Sequence, residues 1–185
     1  MKNLKSTLTK ISLLTLTLIW IPQVNAGLHF EPHAYLSWGE SAEKNSTNDY
    51  SILGHQYGLR LGLYKPRFHL GLEYKTGEIR YENNDSGDKS TVKPHYMGAY
   101  LGFYLKQRYG LNFSYYPNIR ENSSSSKLGG IGWAVEFVYR FKTHLQFKFG
   151  YQHTQLSEDE ATGQNLDNKI ESKTLLIGIG FPFVL

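Results

Sequence analysis

Bulky apolar side chains occupy alternate positions along most of this chain. Between 130 and 152 the odd positions hold Ile131, Trp133, Val135, Phe137, Tyr139, Phe141, Leu145, Phe147, Phe149 and Tyr151. The even positions hold Gly132, Ala134, Glu136, Val138, Arg140, Gln146, Lys148, Gly150 and Gln152. A period of two is the signature of a β-strand with two unlike faces. The same pattern recurs in segments of about ten residues, the length that crosses a bilayer as a tilted strand. It predicts eight strands, near 28–39, 50–64, 68–81, 94–106, 109–119, 130–141, 145–156 and 172–185. Short turns at 65–67, 106–108 and 142–144 alternate with longer polar loops at 41–49, 82–93, 121–127 and 157–169. No segment of useful length after residue 26 has a helical period.

The two faces differ in a way that sets the surroundings. Across the eight strands the apolar phase holds no Asp, Glu, Lys or Arg. Apart from tyrosines, its ionisable groups are His55, His95 and His153, near the loop ends. The other phase carries Glu31, Arg60, Glu73, Lys75, Glu136, Arg140 and Lys148, together with 14 of the 18 glycines. A face of charges and glycines is crowded, whereas a face of rings and branched aliphatics is spacious. The apolar phase therefore faces lipid and the polar phase faces a narrow lumen. A soluble eight-stranded barrel would put the apolar phase inside, and fourteen inward glycines cannot fill such a core. Strands in lipid must close on themselves, because an open edge leaves backbone groups unpaired. The expected fold is all-β: an eight-stranded antiparallel up-and-down transmembrane β-barrel over residues 27–185, with both termini on the periplasmic side.

Residues 1–26 read as a secretory signal peptide. Lys2, Lys5 and Lys10 precede the apolar run "ISLLTLTLIWI", too short for a membrane helix of about 20 residues, and Val24 and Ala26 fit a cleavage site. That segment holds three of the 20 basic residues and none of the 16 acidic ones, so the remainder has 17 against 16, a net charge of +1. The whole-chain pI near 9.1 is thus no sign of nucleic-acid binding. There is no cysteine, hence no disulfide and no lipid attachment at a cysteine after the signal.

These features together resemble the eight-stranded outer-membrane barrels of Gram-negative bacteria, the OmpX-like and OmpA-transmembrane-domain families. The resemblance spans about 27–185 and includes the closing strand "LLIGIGFPFVL", with Ile179, Phe181, Phe183 and Leu185 in one phase. The chain ends on Leu185 where such barrels usually end on an aromatic residue, and it lacks the peptidoglycan-binding domain of OmpA-like proteins. The resemblance implies a monomer in the outer membrane, in contact with lipid and lipopolysaccharide.

Candidate chemistry is sparse. Lipid A 3-O-deacylase barrels use a lipid-facing His-x-Ser pair with a neighbouring Glu. Here "HTQLS" puts Gln155 at the second position after His153, with Glu171 in the lipid-facing phase. Ser157 lies four residues on, about 13 Å away along a strand, beyond reach of a base. His153, His55 and His95 read instead as part of a headgroup-level belt. His29 and His33 are also about 13 Å apart, too far to share a metal ion. The lumen charges Arg60, Glu73, Lys75, Glu136, Arg140 and Lys148, with Glu31, are expected to form an ion-pair network that plugs the barrel. A two-residue turn at Pro66–Arg67 would pair Lys65 with Phe68 and Arg60 with Glu73 across the hairpin. On that pairing alone, Glu73→Gln should destabilise more than Arg60→Gln combined with Glu73→Gln, since the single change strands a guanidinium. No catalytic residue, metal or cofactor is assigned. The expected role is non-enzymatic, structural or in surface interaction through the outer loops with possible host ligands. The alternatives are a deacylase-like lipid A hydrolase and a narrow passive channel.

Overall fold

The computed structural model describes residues 27–44, 49–105, 108–123, 126–142 and 144–185. The proposed signal segment lies outside these residues. The strands are β1 (Gly27–Glu43), β2 (Asp49–Lys65), β3 (Phe68–Asn83), β4 (Lys89–Leu105), β5 (Tyr109–Asn122), β6 (Lys127–Lys142), β7 (Leu145–Asp159) and β8 (Gln164–Gly180). A two-residue β9 (Phe183–Val184) continues β8. Each strand pairs antiparallel with the next, and β8 pairs with β1, so the sheet is closed. The closing register puts His33 opposite Gly180 and Leu36 opposite Ile177. Pro182 has no N–H to donate, which splits the last strand. The ladder resumes beyond it, with Leu185 N–H donating to Leu28 O at 2.9 Å.

Burial is inverted relative to a water-soluble protein. Leu53, Leu72 and Leu36 are among the exposed exterior side chains, while Arg60, Lys75 and Glu136 are wholly inaccessible. Glycines make this interior possible. A Cβ on Gly110 would stand 2.7 Å from the Tyr104 ring, and one on Gly180 would stand 2.8 Å from Lys148 Cε. The outward apolar band ends where Glu40, Glu78, Lys93, Arg120 and Lys173 begin to face out.

Two expectations are corrected. The four polar loops are much shorter than their composition suggests, spanning only 44–48, 84–88, 123–126 and 160–163. Above the lipid band both faces of a strand can be polar, so alternation fades while the hydrogen-bond ladder continues. Gly87 and Gly163, at φ of 72° and 67°, allow tight reversals. The second correction concerns β5. Its pairing with β6 jumps from Tyr116–Gly132 to Ile119–Gly130, a bulge at Pro117–Asn118. Both bulged residues face outward, so Ile119 and Glu121 turn inward. Glu121, expected to begin a loop, is 4% exposed inside the barrel.

Candidate functional site

The lumen is filled in layers. Nearest the short turns, the His69 ring stacks on Tyr104 at 4.3 Å, and His29 Nδ1 lies 2.7 Å from the Tyr100 hydroxyl. Arg140 belongs to this layer. Among the described residues it meets no carboxylate, and it lies 5.1 Å from the Tyr104 ring centre.

Above it is a knot of charges centred on Arg60. The β2–β3 turn brings Arg60 opposite Glu73, the register expected from a two-residue turn. Arg60 Nη2 lies 2.9 Å from Glu73 Oε1 and 2.9 Å from Glu136 Oε2, and Nη1 lies 3.5 Å from Glu31 Oε1. Lys148 ion-pairs with Glu31 and lies 3.9 Å from Glu136. Two tyrosines complete the knot: Tyr35 donates to Glu136 at 2.7 Å and Tyr116 donates to Glu73 at 2.8 Å. Arg60 thus joins carboxylates from β1, β3 and β6, reaching across the lumen rather than along one hairpin. Excellent geometry and full hydrogen bonding are what make charges tolerable at such depth.

Lys75 stands apart from the knot. It donates to Gln152 Oε1 at 2.8 Å, and its ammonium lies 4.8 Å from the Tyr116 ring centre. Of the six charges expected in one network, Arg60, Glu73, Glu136 and Lys148 meet through direct ion pairs, with Glu31. Lys75 and Arg140 are held by rings and an amide. The tyrosine contacts are not legible in the sequence, because a period of two does not say which hydroxyl reaches which carboxylate.

The next layer is apolar. Tyr96, Tyr116, Ile119, Ala134 and Leu156 form one buried cluster, and Ile52, Ile79 and Tyr81 form another. At the outer mouth, Tyr81 donates to both oxygens of Glu121, at 3.1 and 3.3 Å. Burial pushes the Glu121 carboxyl up to about 7. No sequence signal for this group exists apart from Pro117, whose place in a strand hints at a bulge.

The histidine candidates fall elsewhere. The His153 ring lies 5.7 Å from that of Trp133 on the exterior, and Gln155 donates to Glu171 at 3.0 Å. Both flanking groups of a deacylase-like set are thus engaged, without a hydroxyl bonded to His153. His95 Nδ1 lies 2.8 Å from the Tyr74 hydroxyl at the same level. His33 Nε2 lies 3.4 Å from Glu73 and its Nδ1 lies 3.3 Å from the Glu31 carbonyl oxygen, while His29 Nε2 lies 3.5 Å from the Glu31 carboxylate. Among the described residues no three metal-binding side chains converge.

No family model matches the chain, and no curated protein sequence matches it. Solved structures do. Ail, the attachment invasion locus protein of Yersinia pestis, is 13% identical and aligns over 85% of this chain and 99% of its own, with a TM-score of 0.55. Ail in complex with the heparin analogue sucrose octasulfate aligns over 86% of this chain and 100% of its own at 10% identity, with a TM-score of 0.51. Neisserial surface protein A is 16% identical over 86% of this chain and 100% of its own, at a TM-score of 0.48. At these identities the likeness is one of fold: the chain has the closed eight-stranded architecture of these outer-membrane barrels.

Proposed function

We propose that this protein is a non-enzymatic surface-interaction barrel of a Gram-negative outer membrane, monomeric and closed to solutes. Its active part is then the outer rim and hairpins. The observation that carries this reading is the packed interior. A charge knot across five strands lies beneath an apolar layer, and eight strands leave room for little else. The residues left to meet partners stand outside. Arg80, Lys93 and Arg120 face outward on the adjacent strands β3, β4 and β5, just above the apolar band, with Arg120 paired to Glu160 at 2.8 Å. Cations at that level suit the phosphates of lipopolysaccharide. Ail, solved in complex with the heparin analogue sucrose octasulfate, offers a fold-level parallel for polyanion binding.

The test is reconstitution in asymmetric bilayers with lipopolysaccharide outside. The expected result is no conductance steps, no release of fatty acid, and a retention of lipopolysaccharide that weakens in the Arg80→Ser, Lys93→Ser, Arg120→Ser triple variant. Unitary conductance in the parent would favour a channel. Fatty-acid release abolished by His153→Ala would favour a hydrolase. Either result would overturn the proposal.

A further inference from the structure

The outer mouth is a shaped cavity of about 550 Å³, within the ordinary range for small-molecule sites. Its walls are apolar in larger part, from Tyr50, Val92, Leu128, Leu156 and Ile170, alongside several serine and threonine side chains. At its inner side sits Glu121, whose two oxygens share a single donor among the described residues, the Tyr81 hydroxyl. A carboxylate has about four acceptor positions, so most of its capacity is unused. No lysine or arginine of the described residues lowers its pKa, and burial alone dominates its titration. The charged groups at the rim are engaged elsewhere: Lys89 pairs with Glu82 at 3.4 Å, and Glu43 accepts from Asn168 at 3.2 Å. A buried acid without a cation, inside an apolar cup that opens outward, has the complement of an amine carried on an apolar body.

We infer that this vestibule binds a small organic cation, a primary ammonium on an aromatic or branched aliphatic body, from the outside. The ammonium meets Glu121 and the face of a neighbouring tyrosine, and the body displaces water from the Val92, Leu128 and Ile170 walls. The apolar layer beneath makes this a binding site rather than an entrance. The site does not depend on what the hairpins or the outward cations recognise.

Binding requires the ionised carboxylate, so it strengthens as pH rises through about 7, the value to which burial pushes Glu121. The groups that share its surroundings are Tyr50 on β2, Tyr81 on β3, Tyr96 on β4, and Lys89 and Glu43 at the rim. Burial holds the Tyr81 hydroxyl protonated, and the two rim charges are engaged with Glu82 and Asn168 as above. Glu121 is therefore the group that titrates in this window.

The experiment is isothermal titration of the protein in zwitterionic nanodiscs with 2-phenylethylammonium, and with phenylacetate as its anionic counterpart, after subtraction of empty discs. The parent should bind the amine, and phenylacetate more weakly by on the order of tenfold or more, the factor a charge-assisted hydrogen bond supplies. Glu121→Gln should lose about the same factor while keeping heat-modifiable migration, and Val92→Trp should lose binding by filling the cup. If Glu121→Gln fails to fold, the pH series on the parent decides, with weaker amine binding at pH 6 than at pH 8. Equal binding of amine and phenylacetate, parent-like affinity in a folded Glu121→Gln, pH-independent affinity, or no binding in the parent would each overturn the inference.

Discussion

Removing Arg60 should be the most damaging single polar change in the barrel. In the folded state its guanidinium lies 2.9 Å from both Glu73 and Glu136 and 3.5 Å from Glu31, and its carbon is 5.1 Å from the Tyr100 ring centre. Arg60→Gln leaves three buried carboxylates facing Lys148, with Lys75 one layer away. Stranding a charge at such depth typically costs about 3–5 kcal/mol. Glu73→Gln is milder. Arg60 keeps Glu136 and Glu31, and the new amide oxygen can still accept from it, so the loss is about 1.5–3 kcal/mol, that of a charged hydrogen bond. The double variant removes one charge of each sign but also strips Glu136 of its 2.9 Å partner. It should fall between the two singles. This reverses the order expected from the hairpin pair alone, because the guanidinium serves three acids rather than one. Urea unfolding in detergent micelles or liposomes reads the order directly through Trp38 and Trp133, which sit on the exterior. A double variant more stable than Glu73→Gln, or an Arg60→Gln protein within about 1 kcal/mol of the parent, well short of the penalty for a stranded buried charge, would refute the hub role.

Other outcomes follow from the same layers. Leu72→Arg and Phe149→Arg, on the lipid face, should each cost about 2–4 kcal/mol if at the bilayer midplane, as read from unfolding in liposomes. Gly178→Ala should cost about 1–3 kcal/mol by overpacking, since its new methyl meets the Tyr35 ring and disturbs the Tyr35–Glu136 bond; a parent-like unfolding midpoint would contradict this. Glu121 is an acid whose folded pKa, about 7, lies above its unfolded value near 4.3. The folded state therefore holds the extra proton between those values, and this group's contribution to stability is full below about 4.3 and is lost as pH rises to about 7. Glu121→Gln should accordingly flatten that part of the stability–pH curve and stabilise the barrel at pH 8, which denaturant titrations at stepped pH would measure.

Much of this architecture is local chemistry. Alternation of period two decides which side chains are outside, and the placement of glycines on the polar phase decides that this phase is the crowded one. A two-residue turn at Pro66–Arg67 is enough to set Arg60 against Glu73. All of these depend on neighbours within one strand or one hairpin, so they can be read along the chain. The meeting of Arg60 with Glu31 and Glu136 is another matter. It depends on how far eight strands are staggered when β8 closes on β1, and no single segment encodes that offset. The bulge at Pro117–Asn118 shifts the phase of the rest of β5, which is why Glu121 enters the mouth though the alternation before it would aim it outward. The height of the strands above the lipid also escapes the pattern. There water bathes the outer face, the contrast between faces fades, and only the backbone ladder of the closed barrel shows where each strand ends.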